Sequence, residues 1–225
     1  MNRVPSPNFN DRATHIKLDY IVLHYTGMKD AHSALTRLCD PQAEVSAHYM
    51  ISEDGTLTQL VEESKRAWHA GKSFWRGITD MNSASIGIEL ANPGHEWGYR
   101  AFPPAQINAL KKLLSDIIAR QKLNSQKCFL AHSDIAPSRK EDPGEYFPWQ
   151  ELAQEGLGLW PTVQDNSVVP DGEVNSLLSA IGYDIADPQR ALLAFQRRFH
   201  PQNLSGIADP ETLARLGSVK TLWCA

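Results

Sequence analysis

The sequence predicts an α/β protein: a mixed central β-sheet flanked by helices, plus a small C-terminal three-helix domain. Three observations carry that expectation. Short runs of β-branched, aromatic and aliphatic residues, bounded by turn signals, read as strands. One long segment repeats its apolar residues with a helical period. Beyond a stretch rich in glycine and proline, the chain carries only short helical patterns.

The elements follow in order. Tyr20–Tyr25 (YIVLHY) reads as a buried strand, and Ala47–Ile51 (AHYMI) as another. The turn at Asp54 and Gly55 leads to a partner strand at Thr56–Val61. Ser85–Leu90 (SIGIEL) alternates, with Ile86, Ile88 and Leu90 on one face and Ser85, Gly87 and Glu89 on the other. Pro104–Gln121 places Ile107, Leu110, Leu113, Leu114, Ile117 and Ile118 on one helical stripe. Lys127–His132 is one more short strand. Residues 1–155 therefore form a first domain, 156–172 a linker with Gly156, Gly158, Pro161 and Pro170, and 173–225 a helical domain. In the last, Asp187-Pro188 and Asp209-Pro210 are helix starts, with a capping carboxylate followed by proline in the first turn.

Composition bounds the function. A chain of 225 residues suits one domain or one plus an appendage, and 42% hydrophobic with 21% charged residues is enough for a core. The net charge of −4 excludes the basic excess of a nucleic-acid binder. No apolar run reaches the roughly 18–20 residues of a membrane span. The start, MNRVPSPNFNDR, has no apolar signal region, so a cytoplasmic protein is expected, with the periplasm or outer membrane as the alternative if a leader is removed. Three cysteines with no CxxC pair argue against a disulfide framework or a cysteine-rich zinc knot.

Chemistry concentrates in Ala131–Gly144, AHSDIAPSRKEDPG, where His132, Lys140 and Asp142 share a loop punctuated by Pro137, Pro143 and Gly144. His24 and His132 end two strands, and Glu89 lies near the end of a third, opposite its aliphatic residues. Side chains at the ends of adjacent strands can converge on one pocket. Two imidazoles and one carboxylate make a three-ligand zinc site with a fourth position open, the arrangement of catalytic zinc. One Zn²⁺ per chain is expected, acidifying bound water and polarising a carbonyl. Lys140 and Asp142 stand two apart, so in extended backbone they point to one side. Asp142 can then hold the metal while Lys140 faces a developing oxyanion. Glu89 is suited to take a proton from the water and pass it to a leaving amine. A glycosidase would need a second free carboxylate, and the motifs offer none beyond Glu89.

HYTG at His24–Gly27, SAHYMI at Ser46–Ile51, RAWHAG at Arg66–Gly71, SIGIEL and AHSDIAPSRKEDPG together resemble the zinc-dependent N-acetylmuramoyl-L-alanine amidases of type 2, relatives of the peptidoglycan-recognition proteins. The resemblance covers roughly Ser6 to Gln154. Ser176–Tyr183, Ala194–Arg198 and Pro210–Leu216 are similar to the C-terminal peptidoglycan-binding domain of the AmiD-type branch, which the AmpD-type branch lacks. The resemblance implies that His24, His132 and Asp142 are the zinc ligands, Glu89 the catalytic acidic residue and Lys140 the transition-state lysine. Phage-type relatives carry cysteine where this chain has Asp142 and tyrosine where it has Ala47, which puts the chain in the glutamate-using branch. The implied reaction hydrolyses the amide between N-acetylmuramic acid, including its 1,6-anhydro form, and L-alanine of the stem peptide. The implied partners are peptidoglycan or muropeptide fragments, bound by a monomer. The alternative is a non-catalytic peptidoglycan-binding protein, but such relatives lose a ligand and none is missing here.

Other polar residues receive plainer expectations. His48 reads as a buried support, and Glu141 as solvated. His69 and Trp75 are expected to contact substrate, with Arg76 beside them on a rim. His15, His32, His95 and His200 receive no role. The helical domain carries no obvious catalytic group, so its removal is expected to weaken wall binding and to spare activity on soluble fragments.

Overall fold

The computed structural model describes residues 1–162 and 173–224. Its main sheet has six strands: β1 (Asn2–Arg3), β3 (Tyr20–Tyr25), β4 (Tyr49–Ile51), β5 (Leu57–Gln59), β7 (Ser85–Leu90) and β8 (Phe129–Ala131). A separate antiparallel ribbon pairs β2 (Phe9–Asp11) with β6 (Lys65–Ala67). The main sheet runs β1-β5-β4-β7-β3-β8. Only β4 and β5 pair antiparallel, as the turn between them requires; the other four pairings are parallel.

The central strands explain their own position. In β3 and β7 nearly every residue is buried, as strands covered on both faces must be. Ile21 and Leu23 of β3, Ile86, Ile88 and Leu90 of β7, and Phe129 of β8 face one side. There they form a core with α4 (Pro104–Gln121) through Leu110, Leu114 and Ile117. Val22, His24, Gly87, Glu89 and Leu130 alternate to the other side. On that side Val22 and Leu130 join a second apolar cluster, and the polar residues sit at the carboxyl ends of the strands. The register pairs His24 directly with Glu89.

The helices include α1 (Ala31–Cys39), whose start is capped by Asp30, and the one-turn helices α2 (Met81–Ala84), α3 (Gly94–Trp97) and α5 (His132–Ile135). They are followed by α6 (Trp149–Gln154), α7 (Val174–Ile181), α8 (Pro188–Phe199) and α9 (Pro210–Cys224). Helix α4 has the bounds its apolar period predicts. The strand expected at Lys127–His132 ends earlier, and His132 is instead the first residue of α5. The Asp134 carboxylate accepts the Ala131 backbone N–H at 2.8 Å and turns the chain into a helical start. Leu157 and Leu159, within the expected linker, are buried in the two cores, and residues 163–172 of that linker lie outside the described residues. All three cysteines are free thiols.

The C-terminal helices are not a loose appendage. Leu178, Ile181, Tyr183, Phe195 and Phe199 share one apolar cluster with Trp75, Met81, Leu130 and Ile135 of the preceding domain. Within it, Arg198 and Asp134 form an ion pair at 2.5 Å with side chains only 1% and 0% exposed. The Tyr183 hydroxyl donates to the same carboxylate at 2.7 Å. Arg76 Nη1 donates to the carbonyls of Ala180 and Ile181 at the end of α7, so it ties the two parts together and is not a cleft rim. Removing the helical part would thus expose apolar surface of the preceding residues as well as weaken wall binding. Each large apolar side chain returned to water costs about 1.5–3 kcal/mol, and at least four face the helices. A chain ending at residue 162 is expected to melt roughly 10 °C or more below the full chain, or to aggregate, since about 1 kcal/mol shifts Tm by roughly 2–4 °C at this size. Scanning calorimetry of the two chains checks this, and equal melting temperatures would contradict the shared core.

Candidate functional site

The polar residues at the carboxyl ends of β3 and β7 open into a cleft of about 580 Å³. His24, next to last in β3, lines it. His132 enters from the first residue of α5, and Asp142 from the loop that follows. The Ser133 backbone N–H donates to the Asp142 carbonyl at 3.0 Å, which holds that loop against α5. The three side chains are 1%, 4% and 5% exposed, respectively.

Their inward atoms meet in a triangle. His24 Nδ1 lies 2.9 Å from His132 Nδ1 and 3.0 Å from Asp142 Oδ2, and His132 Nδ1 lies 2.9 Å from the same oxygen. The outer nitrogen of His132, Nε2, donates to the Ala70 carbonyl at 3.1 Å. That bond places the imidazole proton on the outside and leaves a bare lone pair on Nδ1. Burial lowers the His24 pKa to about 4, reinforced by the neighbouring His132. Burial also pushes Asp142 upward, but a proton on His132 or His24, through its charge and hydrogen bond, outweighs that push and holds the carboxyl well below its ordinary value; with both imidazoles neutral, their inward nitrogens are bare. Two nitrogen lone pairs and a carboxylate oxygen packed this closely repel one another unless a cation takes their common corner. Two nitrogens and one oxygen form a donor set that suits zinc with an open position. Among the described residues, this is the one group of three such side chains placed to hold a metal.

Glu89 reaches the same cleft from its place beside His24. Its Oε2 is buried with no hydrogen-bond partner among the described residues. Burial raises its pKa well above the carboxylate value, and the charge of Asp142 adds to that, against the opposing pull of Lys140. An unpartnered carboxylate oxygen with raised proton affinity beside this corner has the properties a general base needs. Lys140 lines the cleft as well.

The structure thus brings together His24, His132, Asp142, Glu89 and Lys140. His48 is a support: its Nδ1 accepts the Gly87 N–H at 2.9 Å, and its Nε2 lies 3.0 Å from the Lys65 carbonyl. His69 stands behind His24, its Nδ1 3.0 Å from His24 Nε2, and is largely buried. Trp75 is corrected outright. It is 1% exposed and packs edge-on against Tyr183 and Trp223, so the C-terminal helices cover it and it contacts no substrate. Sequence reasoning also missed that α8 walls the cleft, through Arg190, Leu193 and Arg197. The apolar period of α8 marks its buried face and carries no sign of what the opposite face meets.

Comparisons with known proteins converge on one family. A family model described as N-acetylmuramoyl-L-alanine amidase matches residues 14–145. The chain is 40% identical to the N-acetylmuramoyl-L-alanine amidase AmiD of Escherichia coli K12, over 90% of this chain and 82% of that protein. It is 31% identical to the 1,6-anhydro-N-acetylmuramyl-L-alanine amidase AmpD of Haemophilus influenzae, over 66% of this chain and 88% of that one. Among solved structures, it is similar to E. coli AmiD in complex with anhydro-N-acetylmuramic acid-L-Ala-D-γ-Glu-L-Lys, with a TM-score of 0.82 at 36% identity, covering 96% of this chain and 98% of that one. It is also similar to AmpDh3 of Pseudomonas aeruginosa, with a TM-score of 0.84 at 30% identity over the full length of both chains.

The triangle has a direct consequence. Asp142→Asn replaces the carboxylate at this corner with a neutral amide and is expected to lower zinc affinity at least about 10-fold, since losing even an outer partner of a metal ligand costs about 10–100-fold. Metal analysis of purified protein after dialysis checks this: about one zinc per wild-type chain and substoichiometric zinc in the variant.

Proposed function

We propose, from the premise that this chain belongs to the N-acetylmuramoyl-L-alanine amidase family, that it is a zinc enzyme whose metal is held by His24, His132 and Asp142 and whose base is Glu89. The family hydrolyses the amide that joins the lactyl group of N-acetylmuramic acid to L-alanine, and the chain is such an amidase. The observation that carries the finer reading is the convergence of two imidazole lone pairs and a carboxylate beside the unpartnered oxygen of Glu89.

Zinc, when bound there, would acidify a water and polarise the muramoyl carbonyl. Glu89 takes the proton of the attacking water and delivers it to the nitrogen of L-alanine as the C–N bond breaks, so that the amine leaves neutral. Its raised proton affinity suits both halves of that transfer. Lys140 presents an ammonium to the oxygen that gains negative charge as the carbonyl carbon becomes tetrahedral. Arg37 of α1 and Arg190 of α8 give the cleft walls positive charge, which complements the free carboxylates of a stem peptide. The substrates are muropeptide fragments, with the 1,6-anhydro form included by likeness to the AmiD complex and the AmpD proteins. No helix among the described residues is long and apolar enough to cross a membrane. The substrate places the work in bacterial wall turnover, in the cytoplasm or at the envelope.

Two variants test the roles. Glu89→Gln keeps the shape but cannot accept the proton; kcat is expected to fall about 10²–10⁴-fold while bound zinc stays at wild-type content. Steady-state kinetics on a muropeptide with parallel metal analysis checks this, and a near-normal kcat would remove Glu89 from the base role. Lys140→Ala is expected to lower kcat about 10²–10³-fold with little change in KM. An effect confined to KM would make Lys140 a binding group.

A further inference from the structure

A chain of hydrogen bonds runs from the metal corner into the sheet. Ser85 Oγ–H donates to the Met81 carbonyl, which commits its only proton. The Ser85 oxygen can then only accept, and the nitrogen facing it is His69 Nε2, at a long 3.4 Å. With its proton on Nε2, His69 has a lone pair on Nδ1, and that atom lies 3.0 Å from His24 Nε2. His24 must therefore carry its proton on Nε2, and its Nδ1 lone pair is left for the triangle with His132 and Asp142.

The scaffold is built around that placement. The His69 ring lies against Gly87 of β7, and a Cβ there would sit 2.3 Å from the ring carbon Cγ. Only glycine lets the imidazole reach His24, which gives the glycine of SIGIEL its reason. The Asn82 side-chain oxygen accepts the backbone N–H groups of His69 and Ala70, at 3.0 and 2.7 Å, and fixes the loop that carries the ring. The same loop supplies the Ala70 carbonyl that fixes the tautomer of His132. One segment, His69–Ala70, thus sets the proton positions of both imidazoles at the corner.

We infer that His69 is a positioning residue for the metal site: with Ser85 behind it and Gly87 beneath it, it holds His24 in the tautomer that presents Nδ1, and it is not a substrate contact. This rests on the reading of His24 as a metal ligand. A ligand's outer hydrogen bond fixes its tautomer and ring orientation, and its loss costs about 10–100-fold in metal affinity.

The first test needs no substitution. Long-range ¹H–¹⁵N NMR of the metal-free wild-type protein reads the tautomer of each histidine. The expected result is His24 with its proton on Nε2; a proton on Nδ1 overturns the inference whether or not zinc binds. Zinc titration of the same sample, against a competing chelator, separately tests the metal site. For the variants, His69→Leu is expected to weaken zinc binding about 10–100-fold. His69→Asn, which keeps an acceptor near the Nδ1 position, is expected to restore affinity to within about threefold of wild type on the same scale. If His69→Leu binds zinc normally and instead raises KM, His69 is a substrate contact and the inference fails. If His69→Leu does not fold, the wild-type tautomer and the affinity of His69→Asn decide the matter.

Discussion

Everything in the site depends on the parallel pairing of β3 with β7. Its register sets His24 opposite Glu89 at the carboxyl ends of two buried strands. A slip of β3 by one residue would turn His24 onto the opposite face, among Ile86, Ile88 and Leu90, where α4 packs, and away from Glu89. The register is fixed because those aliphatic residues must be buried, so the core and the chemistry are specified by one alternation. The third wall comes from β8, whose neighbour α5 brings His132 to the same edge.

The second constraint links the C-terminal helices to this edge. Asp134 caps the start of α5, two residues beyond His132, and its carboxylate accepts from Ala131, Tyr183 and Arg198 at once. Two of those donors come from the C-terminal part. A buried ion pair such as Arg198–Asp134 is weak evidence of net stability, yet removing one partner typically costs about 3–5 kcal/mol. The Arg198 guanidinium also lies 4.2 Å from the ring centre of Trp149, so its charge is shared with an aromatic face. The helices thus have two consequences at the cleft: they complete its wall through α8, and they hold the turn that carries His132.

Much of this was legible in the residues. His24, Glu89 and α4 could be read because each belongs to a regular element whose period places its side chains. Asp142 and Lys140 could be read because the loop is short and bounded by prolines. His132 reads from the sequence as the end of a strand and is instead the first residue of α5, since the Asp134 cap acts over three residues and leaves no period. Trp75 looked like a rim because an aromatic beside an arginine in a loop often is one; only long-range packing against Tyr183 and Trp223 shows it to be core. The place of His69 depends on the missing Cβ of Gly87, a contact between residues on different elements that no local pattern encodes.

The central claim is that the corner formed by His24, His132 and Asp142 serves amide hydrolysis. It is tested most directly by mass spectrometry of the products from a purified anhydro-muropeptide. The account predicts free stem peptide and intact sugar from the zinc-loaded protein, no release after chelation, and recovery when zinc is returned. A zinc-loaded, folded protein that leaves the peptide attached to the sugar would contradict it.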